Sequence, residues 1–124
     1  MADSRAAYRY ALAVIGLADE LKQLDKVSQD IEFLSGVLRQ SREFLLFLKN
    51  PVVNKEKKKT VVSEIVQGRV SEPTFRFLRL LISKGRETII PEIIKSFFDR
   101  TNIDRFTFHA QAIGSGFGFR NQYP

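Results

Sequence analysis

The sequence predicts an all-α fold: a six-helix bundle followed by a flexible glycine-rich C-terminal tail. Three observations lead there. Apolar residues recur at helical spacing in six separate segments. Short stretches rich in helix start and stop residues separate them. Period-two alternation is confined to Arg105-Phe106-Thr107-Phe108-His109-Ala110, so no sheet is expected. The predicted division is a helical domain over 4–104 and a tail over 105–124. Short connections between helices favour neighbours packed as a bundle.

The first helix is capped by Ser4, and its apolar positions run Ala7, Tyr10/Ala11, Val14, Leu17/Ala18 and Leu21. Tyr8, Leu12 and Ile15 form a second apolar set on another side, more than one buried face needs. The second helix follows Asp25 with a single stripe of Val27, Ile31, Leu34 and Val37/Leu38, the pattern of a helix packed on a core. Ser41 caps a short third helix carrying Phe44, Leu45, Phe47 and Leu48, and Asn50-Pro51 ends it. Asn54 opens the fourth, which runs through a lysine cluster, turns Val61, Val62, Ile65 and Val66 inward, and stops at Gly68.

Ser71-Glu72-Pro73 starts the fifth helix with a capping hydroxyl, a first-turn acid and a first-turn proline. Phe75, Leu78 and Ile82 form one stripe, and Phe77, Leu80 and Leu81 a second, before the stop at Gly85. Either this helix is central and buried all round, or one stripe meets a partner. Since the first helix has the same surplus, a shared exposed groove between the two is expected. Thr88 caps the last helix, with Pro91 in its first turn and the regular stripe Ile89/Ile90, Ile93/Ile94, Phe97/Phe98. Three of the chain's seven glycines fall in the tail, where Gly114-Ser115-Gly116-Phe117-Gly118 lacks the strand and helix that a phosphate-cradling loop requires.

At 124 residues the chain can bury one compact core, not two. The charged and hydrophobic fractions, 27% and 44%, are ordinary for a soluble globular protein. With no cysteine there can be no disulfide, thiolate nucleophile or thiolate metal site. The single histidine, His109, has no partner placed by pattern, the acids are spread singly, and no nucleotide-binding glycine loop occurs. The expectation is therefore a non-catalytic binding module with no cofactor and no metal. No apolar run approaches the ~18 residues of a membrane span, and Met1-Ala2-Asp3-Ser4-Arg5 has no signal-peptide pattern. Contact with a membrane is expected only indirectly, through a complex.

Net charge is +6, and from Lys49 to Thr60 five lysines (49, 55, 57, 58, 59) stand against Glu56, giving +4. Such a run is usually a solvated helix start; as a phosphate-binding surface it would make the chain a small basic all-α RNA-binding module. It contains no aromatic side chain for base stacking, so nucleic acid is not expected as a partner.

Ordered short motifs resemble one family. Arg9-Tyr10-Ala11 resembles the R-Y-A opening of the delta subunit of F-type ATP synthases, whose mitochondrial relative is the oligomycin-sensitivity-conferring protein. Phe47-Leu48-Lys49-Asn50-Pro51 looks like the family's "f-l-x-n-P" turn, with a following lysine near Lys58. Phe77 through Arg86 is similar to its "n-F-L-x-L-L-x-x-x-G-R" helix end, and the helix from Ile89 to about Asn102 also fits. The resemblance covers about residues 5–104.

It implies a non-catalytic peripheral-stalk (stator) subunit on top of the catalytic head. Such a subunit binds the N-terminal helix of an ATP synthase alpha subunit between its first and fifth helices. Helical position then puts Tyr10, Ala11, Val14, Phe77, Leu80 and Leu81 near that groove, with Asn50, Pro51, Gly85 and Arg86 forming structural turns. Arg86 is expected to fix its turn by bonding helix-end carbonyls. Family members continue into a second, smaller domain that contacts b-type stalk subunits. The recognisable sequence here stops near Asp104, so b-type contacts are expected only if a second domain exists. The expected location is the cytoplasmic face of a bacterial inner membrane, with the chloroplast stromal and mitochondrial matrix sides as alternatives.

Overall fold

The computed structural model describes residues 2–101. They form α1 (Ala2–Glu20), α2 (Leu24–Gln40), α3 (Arg42–Lys49), α4 (Lys55–Val66), α5 (Glu72–Ser83), a single 3₁₀ turn (Glu87–Ile89) and α6 (Ile90–Thr101). The all-α, six-helix expectation holds, and there is no strand among the described residues. The tail over 105–124, its alternating stretch and His109 lie outside them.

Helix boundaries follow local chemistry at some ends and tertiary contacts at others. Ser41 and Asn54 cap as expected: their side chains accept hydrogen bonds from the Phe44 amide at 3.1 Å and the Lys57 amide at 2.8 Å. Ser4 does not cap α1, because the helix already begins at Ala2 and Ser4 lies within its first turn. Thr88 sits inside the 3₁₀ turn, and α6 starts two residues later with Pro91 in its first turn. Ser71 precedes α5, but its hydroxyl donates to Asp30 of α2 and caps nothing on its own helix.

The helix ends show the same division. At the end of α5 the Gly85 amide donates to Ile82 O at 3.0 Å and the Arg86 amide to Leu81 O at 2.7 Å, a Schellman motif with Gly85 at φ 72°. The carbonyl bond expected of Arg86 is thus made by its backbone amide. Gly68, the expected stop of α4, also has positive φ, at 79°. The end of α1 repeats the Schellman pattern, Lys22 amide to Asp19 O and Gln23 amide to Ala18 O, with Lys22 in the left-handed position at φ 58°. No glycine marks that stop.

One core joins all six helices, from Ala7, Ala11, Val14 and Ala18 of α1 to Ile93, Ile94, Phe97 and Phe98 of α6. α1 packs most extensively on α6. The core positions of α1, Ala6 included, are small, which lets the two backbones approach closely. Phe97 is fully buried and meets Phe98 edge-on, the ring centroids 5.4 Å apart. A buried ring of this kind contributes ~3–5 kcal/mol by the cost of truncating it to alanine.

Two buried polar contacts tie loops to this core. Lys58 of α4 donates to Glu87 of the 3₁₀ turn and, at 2.7 Å, to the last-turn carbonyl of Leu48 in α3; both side chains are buried. Asp30 of α2 receives three hydrogen bonds from the start of α5.

Candidate functional site

The residues nominated from the sequence divide into three groups. Ala11, Val14 and Leu81 are at most 1% exposed and belong to the core, so no partner can touch them in this fold. Tyr10 and Phe77 form the joint between α1 and α5: Tyr10 is half-buried, Phe77 is buried, and their rings meet edge-on with centroids 6.4 Å apart at 60°. Leu80 alone is open to solvent, at 44%.

The two stripes of α5 are therefore not two faces. Phe77, Leu78, Leu81 and Ile82 make one wide buried arc, Phe75 lies at its edge beneath the Arg79 guanidinium, and Leu80 falls outside it. At 100° per residue these four positions span only about 140° of the helix, so the two sequence stripes are halves of one wide apolar face.

The Tyr10–Phe77 contact also shows which edge of α1 faces α5. Leu17 and Leu21, seven and eleven residues beyond Tyr10, share its side of the helix and are 41% and 46% exposed. Leu80, three residues beyond Phe77, occupies the matching edge of α5. The α1/α5 contact thus has an aromatic joint, Tyr10 and Phe77, and Leu17, Leu21 and Leu80 are exposed at neighbouring angles about the two helix axes. Leu17 and Leu21 already stood in the first helical stripe; only contact with α5 separates them from Ala11 and Val14. Of the other surplus set on α1, Ile15 packs partly on the core while Tyr8 and Leu12 are exposed, with the Arg100 guanidinium of α6 5.4 Å above the Tyr8 ring.

The expected turns are well held. Asn50 Oδ1 accepts the Val52 amide at 2.9 Å, closing the turn at Asn50-Pro51. Gly85 and Arg86 supply the Schellman bonds described above. The lysine run does not form a free cationic comb: Lys58 is buried against Glu87, Lys49 donates to Thr88 O, and Lys55 donates to Ser83 O. Among the described residues no cluster of three or more His, Cys, Asp or Glu could hold a metal ion. No helix among them is long and apolar enough to cross a membrane.

The family described as ATP synthase delta (OSCP) subunit matches residues 6–114. The chain belongs to this family. The delta-family match extends ten residues beyond Asp104, where the resemblance in the sequence faded. The chain is similar to the ATP synthase subunit delta of Cytophaga hutchinsonii, at 36% identity over 97 residues, covering 78% of this chain and 53% of the relative. The subunit delta of Chlorobaculum parvum is 38% identical over 97 residues, covering 78% and 54%. A chloroplastic subunit delta from Gracilaria tenuistipitata var. liui is 34% identical over 96 residues, covering 77% and 52%. The chain spans about half the length of the curated delta-family relatives it matches.

Proposed function

We propose that this chain is a non-catalytic stator subunit of an F-type ATP synthase, and that its α1/α5 seam receives the amphipathic N-terminal helix of an alpha subunit. The observation that carries the reading is the Tyr10–Phe77 contact that joins α1 to α5, with Leu17, Leu21 and Leu80 left exposed beside it in sequence, in a chain of the delta family. A stator holds the catalytic head against rotor torque, which calls for tight multi-point binding and no bond chemistry. A helix laid in an apolar groove meets that need by seating anchors at i, i+3/i+4 and i+7. Burying ~600 Å² of apolar surface at ~25 cal/mol/Å² corresponds to ~15 kcal/mol gross, much of it offset by ordering the partner.

In this reading the subunit is peripheral to the membrane on the side where the catalytic head stands, the cytoplasmic face in a bacterium. Contacts with b-type stalk subunits require a second domain, since residues 4–104 constitute the head-binding domain. Nucleic acid is not a partner.

The deciding experiment is co-purification from native membranes with mass-spectrometric identification of what comes down. Recovery of alpha and beta subunits supports the reading. Recovery of RNA-associated proteins without them refutes it and favours the basic RNA-binding alternative.

A further inference from the structure

We infer that the turn at residues 50–54, together with the cations around it, is a second docking point of the subunit, shaped for an acidic protein surface with a small apolar hollow. The inference rests on the reading of the chain as a stator subunit, and places this second contact on the catalytic head.

Val52 is the most exposed large apolar residue of the described chain, at 87%. It does not sit on a floppy loop. Pro51 restricts the backbone beside it, the Val52 amide is held by Asn50 Oδ1, and the flanking Leu48 carbonyl is bound by buried Lys58. Lys49 Nζ reaches Thr88 O at 3.2 Å and Lys55 Nζ reaches Ser83 O at 2.9 Å, so the turn lies against the segment 83–88. That segment adds the exposed side chains of Lys84 and Arg86.

Four cations, Lys49, Lys55, Lys84 and Arg86, therefore lie on the chain flanking this fixed apolar turn and on the segment 83–88 packed against it. Among the described residues no carboxylate lies within 4.0 Å of any of them: Glu87 is taken by Lys58 and Glu56 by Lys59. Bonds to carbonyls leave their charge unneutralised. A preformed apolar knob with cations on the adjoining chain loses little freedom on docking, and its charges steer an acidic partner. Single-stranded nucleic acid fits less well, because no aromatic ring lies in the patch for bases to stack on. A membrane fits less well, because one valine buries too little to anchor a protein.

The test uses the full chain, the intact catalytic head of alpha, beta and gamma subunits, and a separate peptide of the alpha N-terminal helix. Val52→Asp and Lys84→Glu both lie on exposed side chains; far-UV circular dichroism reports whether each keeps its helices. Each variant is expected to weaken head binding about tenfold while leaving the peptide affinity unchanged, and wild-type head binding is expected to fall as salt rises. Unchanged head affinity in both folded variants overturns the proposal. So does a loss confined to single-stranded RNA or anionic vesicles. If the peptide fails to bind but head binding still depends on Val52, the groove reading falls and this docking point stands.

Discussion

Asp30 on α2 caps α5 from across the bundle: its Oδ2 accepts from the Ser71 amide at 2.9 Å, the Ser71 hydroxyl at 2.6 Å and the Thr74 hydroxyl at 2.7 Å. Asp30 is 1% exposed, and Lys26, one turn back, lies 3.3 Å from its other oxygen. One carboxylate thereby fixes where α5 begins and how α2 and α5 are docked. Asp30→Ala strands three donors in a dry place, and each unpaired buried donor costs ~1–3 kcal/mol unless water enters. We expect Asp30→Ala to lower unfolding stability by ~3 kcal/mol or more in a urea titration. Ser71→Ala, which leaves the amide and Thr74 bonds in place, should lose only ~1 kcal/mol.

The buried Lys58–Glu87 pair gives a second, differently shaped prediction. Removing one partner leaves the other charge buried without compensation, at a cost of ~3–5 kcal/mol. Glu87→Gln and Lys58→Met should therefore each destabilise strongly in thermal unfolding. The double variant should be less damaging than the sum of the two, since neither charge remains. Additive losses would show that Lys58 acts chiefly through Leu48 O.

Lys22 holds a left-handed conformation that glycine adopts more easily. Lys22→Gly should stabilise the protein by about 1 kcal/mol, raising the denaturant midpoint with no change of slope. Gly85→Ala, at the equivalent position of α5, should lower stability by a similar amount.

Residue choice in the groove decides which substitutions report on binding. Leu80→Asp and Leu17→Asp alter exposed side chains and should weaken alpha-peptide binding in calorimetry while helical content stays intact. Ala11→Arg is unsuitable as a binding probe: Ala11 is fully buried on the inner face of α1, and an arginine there should unfold the domain. Unchanged peptide affinity in both leucine variants would place the partner elsewhere.

Much of the fold was legible because helices announce themselves locally. The stripe Ile89 to Phe98, the caps Ser41 and Asn54, and the stops Gly68 and Gly85 depend on residues within a turn or two of one another. Ser71 stands at the N-cap position of α5 as its type suggests, but its hydroxyl is taken by Asp30, while Ser4 and Thr88 lie inside helical turns that start before them. A capping hydroxyl is recognisable by type, but whether it caps depends on competitors the helix itself does not contain, such as Asp30 for Ser71. The stop at Lys22 carried no signal, since lysine there is tolerated and not preferred.

The amino-acid sequence by itself determined that the described residues make six helices, which residues are apolar enough to bury, and which motifs place the chain in the delta family. Periodicity measures the angle of a side chain about its own helix axis, and nothing more. Only the tertiary structure decided that Ala11, Val14 and Leu81 point into the core and that Leu17, Leu21 and Leu80 stay exposed. The reason is that exposure depends on neighbouring helices. Tyr10 against Phe77 sets α1 beside α5, and that contact turns two stripes of similar composition into an interior and an edge.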